Sequence, residues 1–278
     1  VASVTEQATE DFNDKVTLEG ELQEEIDEFN KELLLAFLLL LGTSGNVINT
    51  DTFDDRLQEI LLTHYGKVSE EFSHRISPTL PDELQTTGEE ETNIAIALAM
   101  FALVRAGTQS QFILNTIDKE LQSAVANAEQ IALAEQAQGR DMSRQEIATT
   151  AAATASRALR NHTPTIACTE TQITAEVAKA TEAAVLAGQQ PPTVAGSSAT
   201  TNVTKEWVTV RDNKVRRNGF NHVAADRQKV DVNSVYVVSG QQLRWPGDIA
   251  LGASLGNVIN CRCSSIVDNE DLIAKRKV

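Results

Sequence analysis

Apolar residues recur at three- and four-residue spacing near the start of the chain. Leu18, Leu22, Ile26, Phe29 and Leu33 form one stripe, which runs into the unbroken apolar stretch from Leu33 to Leu41. Only a helix gathers residues at that spacing on one face. The chain is therefore expected to open with a long acidic helix, broken by Gly42 to Gly45. The same period returns from Phe53 to Arg75, with Asp51 as the expected cap, and Pro78 and Pro81 mark the loop that follows. It returns again in two further helices, Ile94 to Val104 and Phe112 to Ala137. Ser143 followed by Glu146 reads as a capping box for an alanine-lined helix, Arg144 to Arg160. Pro164 predicts its end at His162-Thr163, because the residue before proline leaves the helical region. A last helix, Thr165 to Ala187, is expected to close at Gly188. Aromatic residues are only 4% of the chain, which favours helices with small side chains over a β-sandwich.

The character changes after Gln189. Residues 189–204 contain Pro191, Pro192, Gly196, Ser197 and Ser198 and read as a linker or exposed loop. Beyond it, Glu206 to Val210, Val230 to Val238 and Val258 to Val267 read as short extended pieces. Turns at Asn218-Gly219, Ser239-Gly240 and Pro246-Gly247 separate them. The expected class is α+β, with a mostly helical N-terminal two-thirds followed by a small C-terminal α+β module with short strands. Composition divides the chain into an acidic helical region (1–90), an Ala-rich helical lead-in (91–188), the linker, the module (205–267) and a charged tail (268–278).

Charge is distributed as unevenly as structure. Residues 1–91 hold 22 acidic against 5 basic side chains, whereas residues 201–278 hold 8 against 12. The first third repels nucleic acid and the last third tolerates it, which suits different partners at the two ends. The longest purely apolar run, Ile94 to Val104, is eleven residues, so no membrane span and no membrane partner are expected. No secretory signal is visible, and Val1 in place of methionine suggests trimming or proteolytic maturation. Three cysteines, two of them one residue apart, do not make a disulfide framework and suit a reducing cytoplasm.

Phosphate loops, zinc-protease helices, nucleophile elbows and dinucleotide fingerprints are all missing. His64, His74 and His162 read as surface or packing residues. The chemically interesting set is His222, Asp226, Asp248, Asn260, Cys261 and Cys263. No cofactor is expected, although His222, Cys261 and Cys263 would supply three ligands to a structural zinc. Two thiols at that spacing on a strand point to one face, which equally suits two small buried residues. A metal-assisted nuclease or hydrolase using His222, Asp248, Cys261 and Cys263 is the enzymatic alternative. The basic residues Arg211, Lys214, Arg216, Arg217, Arg227 and Lys229 suit phosphates or internal ion pairs. Trp207 and Trp245 are expected core anchors.

The order Lys205-Glu206-Trp207, Asp212-x-x-Val215-Arg216, His222, Gly240-x-x-Leu243, Pro246-Gly247-Asp248 and Asn257-Val258-Ile259-Asn260-Cys261-Arg262-Cys263 resembles the Mu F-like phage head morphogenesis family, the minor capsid proteins of tailed phages. Gly139-x-x-x-Ser143 with Glu146-Ile147-Ala148, and Ile166-Ala167-x-Thr169-Glu170-Thr171, resemble that family's helical lead-in. The likeness covers about residues 139–267. It departs from the pattern between Arg216 and His222, where three extra residues intervene, and at Arg227, which stands in the place of a glycine. The resemblance implies a non-enzymatic virion protein, made in the host cytoplasm and placed inside the head near the portal. Its implied partners are the portal protein and other head proteins, with packaged DNA reached through residues 205–229. A scaffold or effector protein carried in the head is the other structural alternative. The motif positions singled out for interaction are Lys205, Trp207, Arg216, His222, Pro246, Gly247, Asp248, Asn260 and Arg262.

Overall fold

The opening stripe extends as one helix, α1 (Val4–Ser44), which buries Leu22, Ile26, Phe29, Leu33, Phe37 and Leu41 along one face. Gly45 closes it at φ +78°, its N–H bonded to the Leu41 carbonyl at 3.0 Å. That left-handed conformation costs glycine little. The structure, a computed structural model, describes residues 4–46, 48–191, 201–210 and 219–277. Residues 192–200 of the expected linker, and Arg211, Lys214, Arg216 and Arg217, lie outside the described residues.

Three helix boundaries differ from the sequence expectation. A tight turn at Thr50–Phe53 precedes α2 (Asp54–Phe72), and its cap is Asn49, whose side-chain oxygen accepts from the Asp51 N–H at 3.0 Å. Asp51 is thus capped rather than capping. The two helices expected from Ile94 and Phe112 are one, α3 (Gly88–Ala137), opened by a reciprocal Thr87–Glu90 capping pair. Gly107 is the weakest helix former between them and costs about 1 kcal/mol, while burial of Ala106 and Ser110 carries the helix through. Likewise α4 runs unbroken over Arg144–Leu186 with Pro164 inside it. Proline there removes one backbone bond, at about 3 kcal/mol. Thr163 holds the turn by donating to the Leu159 carbonyl at 3.1 Å and accepting from Asn30 at 3.2 Å. The Ser143–Glu146 capping box opens α4 as expected.

Membrane-spanning potential also needs correcting. By length and composition α3 is long and apolar enough to cross a bilayer. Its unbroken apolar run, Ile94 to Val104, ends at Arg105, and the length comes from the mixed apolar and uncharged polar residues on either side.

Compactness groups the chain differently from composition. One unit holds Val1–Gly20, His64–Leu103 and Ala167–Val278; the other holds Glu21–Thr63 and Val104–Ile166. The second is helical, with Leu57, Leu61, Ile113, Ile117 and Leu121 buried, as are Ala148, Ala151 and Ala155.

In the first unit, the C-terminal part of α4 is buried on every side, from Glu170 to Lys179 without a break. Each polar side chain in that stretch needs a partner, and the neighbours supply them. Glu170 accepts from the Tyr65 hydroxyl at 2.7 Å, and Thr171 meets His64 at 2.8 Å. Gln172 donates to the Cys263 carbonyl at 2.8 Å. Glu176 accepts from Lys15 at 2.6 Å, from Lys179 at 2.8 Å and from the Ser265 N–H at 2.9 Å, and Lys179 also pairs with Asp11. One turn further, Glu182 accepts from the Ile76 and Ser77 N–H groups at 2.9 and 2.7 Å.

Against α4 packs a three-stranded antiparallel sheet in the order β2 (Lys229–Asp231), β1 (Thr204–Thr209), β5 (Cys263–Val267), with Trp207 opposite Ser265. The valine-rich piece expected as one strand is split. Its second half, β3 (Tyr236–Val238), pairs with β4 (Gln241–Leu243) through the Ser239-Gly240 turn. Both turn residues have positive φ, +51° and +78°, as a two-residue hairpin turn with the strands' right-handed twist requires. The architecture is α+β: long helices, then a small region of short antiparallel strands.

Two predictions follow from the buried polar groups. Both tryptophans lie in the first unit, so their fluorescence reports its unfolding alone. Glu176→Gln leaves two buried ammonium groups short of a counter-charge and should cost about 3–5 kcal/mol in denaturant titrations. Burial pushes the Glu182 carboxyl up to about 7, against the backbone N–H groups of Ser77 and Ile76, which favour its charged form. Its contribution is therefore fully present below its ordinary value and is lost as pH rises through about 7. Wild-type stability should carry a component of up to roughly 3 kcal/mol that falls over this range, and Glu182→Gln should flatten it.

Candidate functional site

Strand β1 carries Trp207 into the core of the first unit, where its ring meets Tyr236 edge-on at 5.2 Å and His222 at 5.6 Å. His222 stands at the start of a tight turn, Val223–Ala225. Opposite, the short helix α5 (Leu255–Val258) ends, and Asn260 turns the chain at φ +53°, a conformation asparagine tolerates. Cys261 follows the turn and Cys263 begins β5. Both sulfurs come to 3.5 Å from His222 Nδ1. All three residues are buried, and their donor atoms lie within 4.8 Å of one another. The turn, rather than the alternation of a strand, brings the thiols together, because Cys261 precedes the strand.

A chain of directional hydrogen bonds orients the imidazole. The Ser254 N–H donates to Gln241 Oε1 at 3.0 Å, which marks that atom as oxygen. Asn257 Nδ2 donates to the same oxygen at 3.1 Å and to the Val238 carbonyl at 3.1 Å. Asn257 Oδ1 therefore faces His222 Nε2, at 2.8 Å, and accepts its proton. With Nε2 carrying hydrogen, Nδ1 is the atom left to face the sulfurs.

The two thiols are not equivalent. Burial opposes ionisation of both, but hydrogen bonds from Cys263 and His222 hold the Cys261 thiol well below its ordinary range. Burial first, then the neighbouring Cys261 sulfur, push Cys263 well above it. The Trp207 indole N–H meets no acceptor at ordinary hydrogen-bond geometry, yet it lies close enough to Cys263 to favour the thiolate there. Cys168 is not one of the three grouped donors, although Cys261 acts on it: burial, then Glu19 and Cys261, raise its thiol to about 12.

The remaining motif residues shape the module around this cluster. Lys205 is buried over the Tyr236 ring and donates to the Arg244 carbonyl at 2.6 Å. Burial lowers its ammonium to about 7. Asp248 is gripped by Arg244, through Nε at 2.9 Å and Nη2 at 3.0 Å, and also accepts the Ala250 N–H at 2.9 Å. It is thus separate from the histidine–cysteine group with which the enzymatic alternative combined it. Pro246 and Gly247 form the centre of a turn closed by the Asp248 N–H on the Trp245 carbonyl at 3.1 Å, with Gly247 at φ +90°. Trp245 is buried beneath the Arg244 guanidinium, and Arg262 lies 4.3 Å over the Phe12 ring. Of the basic residues described, Arg227 pairs with Glu206 at 2.7 Å and Lys229 with Asp268 at 3.2 Å. Arg216 lies outside the described residues. Outside the module, His64 is held neutral by burial, with its value lowered to about 3, and His162 meets Glu120 at 3.2 Å.

Sequence reasoning passed over Asn257, which selects the imidazole tautomer, and Gln172 and Glu176, which fix β5 to α4. Asn257 belonged to the quoted motif and was recoverable from it. Gln172 and Glu176 carried no signal, since polar residues in a helix ordinarily face water. The chain matches no family model, no curated protein and no solved structure.

An added Cβ at Gly247 would sit 3.2 Å from Ile173 Cγ1 and 3.4 Å from Gln172 Cγ, on backbone that already disfavours a side chain. Gly247→Ala is expected to destabilise the first unit by about 1–3 kcal/mol, read as an earlier midpoint in tryptophan-monitored unfolding.

Proposed function

We propose that the chain is a minor head protein of a tailed phage, positioned inside the head near the portal. It serves head assembly and DNA packaging or ejection by binding, without turnover. One observation carries the reading. Motif residues scattered over some sixty positions, from Lys205 and Trp207 through His222 and Asp248 to Cys261 and Cys263, are all buried within one small module on α4. A set of residues used to build a module, rather than to line a cleft, fits a family defined by a shared structural part. It therefore supports the resemblance to the Mu F-like proteins.

The charge distribution gives this reading its orientation. The acidic first third suits a positively charged surface on the portal or another head protein, and the basic residues between 205 and 229 suit packaged DNA. Within that segment Lys205 is used internally, and Arg227 and Lys229 are engaged by carboxylates. Affinity for DNA would therefore rest on Arg211, Lys214, Arg216 and Arg217.

Quantitative mass spectrometry of purified virions of the encoding phage tests the proposal. A low, fixed copy number relative to the portal protein is the expected result. Absence from mature virions would remove the minor-capsid reading in favour of a scaffold that leaves the head.

A further inference from the structure

The histidine–cysteine cluster has a geometry that its role as core packing does not require. We propose that His222 Nδ1, Cys261 Sγ and Cys263 Sγ are protein ligands of one zinc-class divalent cation, with Asn257 as the outer partner that orients the histidine. The inference is independent of the phage reading, since it concerns only these side chains.

Distance carries the first part of the argument. Zinc lies about 2.0–2.1 Å from an imidazole nitrogen and about 2.3 Å from a thiolate sulfur, so tetrahedral angles place nitrogen and sulfur about 3.5–3.6 Å apart. Both sulfurs stand at 3.5 Å from Nδ1. A single ion in the space the three atoms share would meet all of them with little movement.

Orientation carries the second. A metal-binding histidine needs its ligating nitrogen bare and its other nitrogen donating to a fixed acceptor. The relay from the Ser254 N–H through Gln241 and Asn257 fixes Nε2 of His222 as the donating nitrogen, which leaves Nδ1, toward the sulfurs, as the ligating one. The relay is itself buried at Asn257, so it holds without competition from water.

Charge balance selects the class of ion. Two thiolates and a neutral imidazole carry two negative charges, and a divalent cation cancels them. The complex is then neutral in a site walled by Trp207, Tyr236 and Val258, where net charge is costly. A monovalent thiophilic ion would leave one negative charge buried. Thiolate and imidazole together select zinc over magnesium or calcium, which prefer oxygen ligands. Uptake expels two protons whether the empty site holds two thiols and a neutral imidazole or a thiol with a thiolate–imidazolium pair. The three protein ligands leave one position for a small donor, and burial means that the ion is acquired as the unit folds.

The test uses the full chain, expressed with zinc and purified under reducing conditions. One zinc per chain is expected after desalting, with two protons released on reloading the chelated protein. Cobalt substitution should give a thiolate-to-metal charge-transfer band, and chelation should lower the melting temperature. Cys168→Ser should leave metal content unchanged, whereas Cys261→Ser and Cys263→Ser should abolish it. Asn257→Ala should weaken affinity roughly 10–100-fold. Measurements on the wild type keep the proposal open to refutation where a core variant fails to fold. Wild-type protein with no retained zinc and no cobalt charge-transfer band would overturn it. So would loss of the metal in Cys168→Ser, which would place the ion elsewhere.

Discussion

Glu176 stands where helix α1, helix α4 and strand β5 meet, and its two carboxylate oxygens are shared among all three. One accepts from Lys15 and Lys179; the other accepts from the Ser265 backbone. Asp11 supplies the second negative charge through Lys179. The four side chains are buried and sum to zero charge, which is the condition under which ions persist in a protein interior. Such a group contributes little net stability compared with a packed apolar alternative. What it supplies is register: Lys15 reaches Glu176 only when α1 lies at one height along α4, and Ser265 only when β5 lies at one height beside it. The packing of the first unit depends on that register.

The histidine–cysteine cluster depends on it as well. Gln172, one turn before Glu176 on α4, binds the carbonyl of Cys263, while Glu176 binds the N–H of Ser265 two residues along the same strand. These two bonds fix where Cys263 begins. Asn260 then fixes the turn that swings Cys261 back toward it, and Asn257 fixes the face His222 presents. Chemistry and scaffold are therefore one construction, in which polar groups of an enclosed helix set the position of two thiols. The same enclosure explains why polar residues of this module serve the fold: Lys205, Asp248 and Asn257 are each consumed by internal partners before any ligand is considered.

Local patterning reached far into this structure. The stripe from Leu18 to Leu41 required a long helix, and Ser143 with Glu146 required a helix start. Ser239-Gly240 and Pro246-Gly247 required turns, because only a few residue types take those backbone conformations cheaply. It went astray at Pro164 and Gly107. There a local penalty of one to a few kcal/mol met the burial of neighbouring turns, and burial prevailed.

Sequence by itself determined the class of the protein, the existence of its long helices, the polarity of its charge and the membership of the His222, Cys261 and Cys263 group, since each follows from residue type and short-range spacing. Tertiary structure alone decided that the α4 stretch Glu170 to Glu182 lies at the centre of a unit, although its composition reads as solvent-facing. It also decided that four long helices each serve two compact units, and that His222 turns Nδ1 toward the cysteines. Those outcomes rest on partners more than a hundred residues away for Lys15 and Glu176, and thirty-five away for Asn257 and His222. A buried polar group is defined by what reaches it, and a one-dimensional pattern carries no record of that.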